Sequence, residues 1–132
     1  MSVTIPERAR AWFDAHEYAV LATIQPDGQP QLSVVWVERD GDELLISTVE
    51  GRRKHTNLLR DPRATLLVYP EAEPDAYVEV RGTVTMTHEG ARPLIDRLAR
   101  AYDGADRFTA DDGTDRVRVV LRLTPRKVHV YD

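Results

Sequence analysis

Apolar residues along the chain recur first at helical spacing and then at strand spacing. From Pro6 to His16, the positions Ala9, Trp12, Phe13 and His16 fall three or four apart, which predicts a short amphipathic helix. Thr4 is placed to cap it, and Pro6 suits its first turn. Tyr18 to Gln25 is a mostly apolar run that reads as a strand. Pro26-Asp27-Gly28-Gln29-Pro30 supplies turn chemistry, proline setting φ and glycine taking the left-handed position. Gln31 to Glu38 returns as a second strand, with Leu32, Val34 and Trp36 on one face and Ser33, Val35 and Val37 on the other. Asp40-Gly41 predicts a hairpin into a third strand, Glu43 to Thr48.

Beyond a turn at Gly51, Arg53 to Arg60 reads as a helix of two to three turns. Asp61-Pro62 ends it, because the residue before a proline is pushed out of the helical region. Ala64 to Tyr69 predicts strand four, Pro70 to Asp75 an exposed acidic loop, and Ala76 to His88 a long strand that bulges or bends at Gly82. Glu89 to Tyr102 carries the strongest helical pattern, with Ala91, Leu94, Ile95, Leu98 and Tyr102 on one stripe. A polar loop, Asp103 to Asp115, has Phe108 as its anchor. Val117 to Leu123 predicts a sixth strand, broken at Pro125, and Lys127 to Tyr131 a seventh. Six or seven strands in mostly meander order, with three short helices as plugs, close most economically into a barrel. The 132 residues fit a single domain, residues 1–132.

Composition narrows the function. With 42% apolar and 30% charged residues the chain is ordinarily globular. No run approaches the roughly 18 apolar residues of a membrane span, so no membrane role is expected. The segment Met1 to Glu7 lacks a basic-then-apolar export pattern. Cysteine is absent, which excludes thiol chemistry and agrees with a cytoplasmic home. A net charge of −4 argues against nucleic acid, which would want a wide basic face. Yet five of the 18 cations (Arg52, Arg53, Lys54, Arg60 and Arg63) crowd one short stretch, and this favours a small anionic ligand.

That stretch is a strand handing over to a helix whose first turn is basic. Backbone N–H groups, helix dipole and side-chain charge all have the same sign there, as an anion site requires. A solvated surface helix is the plainer alternative, and the local residues leave both open. Elsewhere the chemistry is sparse. The histidines His16, His55, His88 and His129 show no metal-ligand spacing. No glycine pattern matches a Rossmann or P-loop motif, and Ser33 and Ser47 lack a nucleophile-elbow context. No catalytic constellation stands by itself, so an enzyme built on this chain would take its chemistry from a cofactor.

Three stretches carry a resemblance. They are Tyr18 to Ile24 with Asp27 to Ser33, then Leu45 to Thr48 with Arg52-Arg53-Lys54, Asn57-Leu58 and Arg60 to Ala64, and finally Arg122 to Val128 with His129 and Tyr131. In order and spacing the chain resembles the split β-barrel flavin-binding family typified by pyridoxamine 5′-phosphate oxidase. It looks closer still to the actinobacterial branch that uses the deazaflavin coenzyme F420. The resemblance implies a mainly β split barrel of six to seven antiparallel strands, and a homodimer with cofactor sites at the subunit interface. It implies that Arg52 and Lys54 hold the cofactor phosphate, with supporting hydrogen bonds from Thr48 and Asn57. Gln31, Leu32 and Ser33 would run beside the ring system, and Arg53 would meet the anionic tail of F420 or only water. Tyr77 or Trp36 would complete a site from either subunit; no residue identifies itself as a proton donor, so the catalytic residue is left unknown, with Tyr77 and Ser33 as candidates.

Both FMN and F420 present a phosphate to such a site. F420 is expected because the chain is short, has a Pro30-Gln31-Leu32-Ser33 second strand and lacks the longer C-terminal substrate-binding tail of true pyridoxamine phosphate oxidases. The expected activity is hydride delivery from reduced F420 to a small electron-poor acceptor. The alternatives are an FMN-dependent oxidase or reductase, and a non-catalytic flavin, deazaflavin or haem carrier.

Overall fold

The structure, a computed structural model, describes residues 3–132, so Met1 and Ser2, the start of the segment read for an export signal, lie outside it. Among the described residues the chain forms α1 (Glu7–Asp14), β1 (Ala19–Ile24), β2 (Pro30–Val35), β3 (Glu38–Asp40), β4 (Glu43–Val49), α2 (Arg53–Arg60), β5 (Arg63–Val68), β6 (Tyr77–Thr87), α3 (Ala91–Asp103) and β7 (Arg118–Tyr131). The seven strands make one antiparallel sheet in the order β2-β1-β5-β6-β7-β4-β3. This is the expected split β-barrel with short helices.

The order is not a plain meander. The expected second strand divides, with β2 pairing with β1 at one edge of the sheet and β3 pairing with β4 at the other. Two residues, Trp36 and Val37, therefore carry the chain between the two edges and close the barrel. Their backbone has left the ladder and needs other partners. Tyr102 supplies them from α3: its hydroxyl accepts from the Val37 N–H at 3.1 Å, donates towards the Glu17 carbonyl at 3.1 Å, and lies 3.3 Å from the Val37 carbonyl.

Alternation along the strands builds two apolar layers. Leu21, Leu44, Ile46, Leu66, Val78, Val80, Leu121 and Leu123 fill the barrel, where Trp12 and Phe13 of α1 and Leu58 of α2 join them. The intervening residues Leu45 and Val120 face outward and meet Leu94, Ile95 and Leu98 of α3. So α1 and α2 act as plugs but α3 lies on the outside of the β4–β7 pair. Burying each of these large aliphatic side chains contributes about 1.5–3 kcal/mol.

Two expectations change. Thr4 does not cap α1, whose N-cap is Pro6 with no side-chain cap; instead Asp42 fixes the approach by accepting from the Ile5 N–H at 2.9 Å. Pro125 does not break the last strand either. β7 runs through it because the register slips there, pairing Gly82 with Pro125 and Arg81 with Lys127 and leaving Arg126 as the extra residue of a bulge. A bulge needs no N–H from the proline, so the ladder loses little.

Candidate functional site

The basic stretch is held in place from below. Gly51, at φ +87°, turns the chain out of β4, and its N–H donates to His55 Nδ1 at 3.1 Å. Helix α2 then lays one side against the barrel. Leu58 enters the core, and the Asn57 amide donates to Thr23 Oγ1 (3.0 Å) and Gln25 Oε1 (3.2 Å), while Arg60 donates to the Ile24 carbonyl. Fixing the far end of α2 in this way fixes its start, where Arg52 is the N-cap and offers no side-chain acceptor to the first-turn N–H groups.

At that start a cavity of about 230 Å³ opens. Arg52, Lys54, Arg116, Arg118 and Ser47 form its polar side, and no carboxylate lines it among the described residues. Trp36, Val34, Ile95, Leu98 and Phe108 contribute an apolar side. Trp36 is stacked on Tyr102 (ring centroids 5.4 Å apart, 12° between planes) and meets the Phe108 ring edge-on. Trp36 thus serves both in the closure of the barrel and in the wall of the cavity.

The electrostatics of the cavity are those of crowded cations. Lys54 is pushed below its ordinary value first by burial and then by the charges of Arg52 and Arg118. Arg52 is exposed as a whole, yet its guanidinium is partly desolvated, and this together with Arg118 and Arg116 pushes it down. Crowded cations held below their ordinary pKa values are stabilised when an anion arrives. Asp111 partly offsets them from behind. It accepts from Arg118 at 2.7 and 3.0 Å and lies 3.4 Å from Arg116, and Arg118 holds its carboxyl below the usual range.

The expected site residues do not all meet here. Arg52 and Lys54 line the cavity. Thr48 and Asn57 are fully buried on the barrel side, Thr48 on the inward face with Leu44 and Ile46, and neither lines the cavity. Asn57 pins α2 through Thr23 and Gln25, whereas Thr48 Oγ1 is buried without a protein partner among the described residues. Gln31 accepts from Thr23 Oγ1 at 2.9 Å, and Ser33 Oγ is buried without a protein partner among the described residues. Leu32 points outward from the edge strand and is 62% exposed. Arg53 is exposed outside the cavity, and Tyr77 stacks on Tyr131 away from it. Ser47, Phe108, Arg116 and Arg118 are in the cavity wall and were not anticipated. Only the pairing of β7 with β4, Arg118 opposite Val49, brings the arginines there.

The fold is of the split β-barrel class, here with a cationic cavity bordered by an aromatic wall. The chain is a member of the pyridoxamine 5′-phosphate oxidase family, whose family model matches residues 5–132. Among solved structures it is similar to an F420 reductase, at 28% identity and TM-score 0.84, over 95% of this chain and 98% of that one. A conserved hypothetical protein of Mycobacterium tuberculosis matches at 25% identity and TM-score 0.78, over 99% and 87% of the two chains. General Stress Protein 26 of Bacillus anthracis shares the fold, at 16% identity and TM-score 0.71, over 96% and 92%. No helix among the described residues is long and apolar enough to cross a membrane.

Proposed function

We propose that the chain binds coenzyme F420 and works as a deazaflavin-dependent reductase of a small electron-poor organic molecule. The observation that carries this reading is the convergence of Arg52, Lys54 and Arg118 on one carboxylate-free cavity beside Trp36, in a chain similar along its length to an F420 reductase. The residues fit a phosphate: Arg offers a fork, Lys a point charge, and α2 starts without a side-chain cap. The bound cofactor would supply the two-electron chemistry as hydride. Arg52 and Lys54 would hold its phosphate and so set where the rest of it lies. Trp36, Val34 and Phe108 would keep water from that side of the site.

A homodimer belongs to the same proposal. Leu32 and Val34 alternate outward on the edge strand β2 at 62% and 67% exposure, beside the exposed Tyr18 and Tyr69. Apolar residues in that density mark an association surface. Val34 lines both the cationic cavity and a second cavity of about 350 Å³ with Tyr18, Val20 and Tyr69. A second copy covering β2 would therefore wall the cofactor site.

Fluorescence titration of the purified chain with F420 and with FMN tests the reading. Micromolar F420 binding without FMN affinity, followed by oxidation of reduced F420 by a member of a panel of quinones, nitroimidazoles and enones, is the expected result. Protein that isolates yellow with FMN and ignores F420 would transfer the proposal to FMN. Binding without turnover of any acceptor would leave a carrier.

A further inference from the structure

Arg118 is the unusual member of the cationic group. Its side chain is only 8% exposed, as is that of Asp111. Asp111 takes the Nε–Nη2 edge of the guanidinium with both oxygens, at 2.7 and 3.0 Å. The Phe108 ring covers the plane, its centroid 4.7 Å from the Cζ atom. Edge and face are thus fixed. The remaining corner, Nη1, lies on the cavity side, where its partner is Ser47 Oγ at 3.5 Å, the outer limit of a hydrogen bond. A guanidinium has more N–H donors than one carboxylate can accept, and a buried one left short of acceptors is costly.

A structural brace between loop and barrel would have the same edge but not the rest. Asp111 is oversubscribed, because Arg116 at 3.4 Å and Arg92 at 3.5 Å share it with Arg118. Arg92 has Asp96 at 2.8 Å as its nearer partner, so Asp111 is left against Arg116 and Arg118, and the neighbourhood stays positive by one charge. A simple buried pair would balance its charges. The excess is felt where a ligand would sit, since the charge of Arg118 contributes to the lowered pKa of both Arg52 and Lys54.

We infer that Arg118 is itself a ligand of the bound phosphate, through Nη1 and alongside Arg52 and Lys54, and that Asp111 is the positioning residue that aims it. This rests on the reading that the cavity takes a phosphorylated ligand, but not on which one. The arrangement has a physical rationale. Arg52 is exposed and must be ordered when the anion binds, whereas Arg118 is already clamped and loses little side-chain freedom.

The test uses the full chain and three variants, Arg118→Ala, Arg118→Lys and Asp111→Asn, with inorganic phosphate as the first probe. F420 and its unphosphorylated deazaflavin nucleus are the second and third. In the unsubstituted protein, phosphate should shift the Arg118 Nε–Hε resonance. Arg118→Ala should weaken phosphate and F420 about tenfold or more, leaving the unphosphorylated nucleus unchanged. Arg118→Lys, with charge but no fork, should fall between, and Asp111→Asn should weaken the same two ligands about threefold or more. Arg118→Ala protein that melts cooperatively and binds phosphate as tightly as the unsubstituted chain would overturn the inference. Equal losses for the nucleus and for F420 would also overturn it, because they report a brace. Should Arg118→Ala not fold, the wild-type resonance and Arg118→Lys decide, and an unmoved resonance at saturating phosphate counts against it. If phosphate binds in an Arg118-dependent way while F420 does not bind at all, the inference stands and the cofactor reading falls.

Discussion

Gly82 lies opposite Pro125 in the β6–β7 ladder, one position beyond the register slip at Arg81. A Cβ on Gly82 would come within 2.2 Å of the Thr124 carbonyl oxygen, a backbone atom that cannot swing aside. The two residues need each other: the bulge accommodates a proline in mid-strand, and the close approach that results admits only glycine. Gly82→Ala should destabilise the protein by about 1–3 kcal/mol or more, read as a lower urea midpoint at unchanged slope. An unaltered midpoint would mean that the strands separate there at little cost.

Arg52→Ala and Lys54→Ala should each weaken F420 binding by roughly 1.5–3 kcal/mol, the loss of one charge-assisted hydrogen bond. Arg53→Ala, outside the cavity, should change it far less. Equilibrium titration reads all three. Dissociation constants unchanged for both Arg52→Ala and Lys54→Ala would remove the phosphate assignment.

Lys54 makes the site sensitive to alkali. Its folded-state pKa lies below 10.5, so the ammonium that attracts the anion is lost earlier than in an ordinary lysine. Phosphate and F420 affinity should be full at neutral pH and fall as pH rises through that lowered value. Stability of the free protein moves the other way. Between the folded-state pKa and 10.5 the folded chain holds fewer protons than the unfolded one, so the Lys54 contribution rises with pH across that window. Lys54→Arg should abolish the alkaline loss of affinity, measured as dissociation constants from neutral pH to about pH 10.

Asn57→Ala should lower stability by about 1–3 kcal/mol, because Thr23 and Gln25 lose a buried donor and α2 loses its pin. Thermal melting with and without phosphate separates this from a ligand role. The melting point should drop in both, with the ligand-induced increment largely kept.

Placing charge on the outward face of β2 tests the dimer. The unsubstituted protein should sediment at twice the 15.0 kDa of one chain, and Leu32→Glu with Val34→Glu should yield a folded species sedimenting near that single-chain mass. A monomer in both would exclude a copy covering β2.

Much of the architecture was legible because it follows from local rules. The bounds of α2 coincide with the expected ones, since Gly51 and Asp61-Pro62 punctuate the chain at both ends. The stripe Leu94, Ile95 and Leu98 was readable as a buried face, but not which surface it covers. Leu45 of β4 and Val120 of β7 have two whole strands, β5 and β6, between them in sequence, and only β4–β7 pairing makes them neighbours. The division of the second strand was hidden for a similar reason. Val35 and Val37 alternate like any strand, and what bends the chain between them is a tyrosine hydroxyl from residue 102.

The sequence by itself determined the three helices, most of the strand positions, the family resemblance with the barrel it implies, and the basic turn with Arg52 and Lys54. Each of these is set by spacing, turn chemistry or charge within a few neighbouring residues. The tertiary structure alone decided that Thr48 and Asn57 turn inward, and that Trp36 closes the barrel and walls the cavity. It alone brought Arg118 to the basic turn with Asp111 behind it. Those relations depend on strand register and on contacts between residues distant in the chain. A sheet that curls on itself sets such distances by closure, which no local pattern encodes.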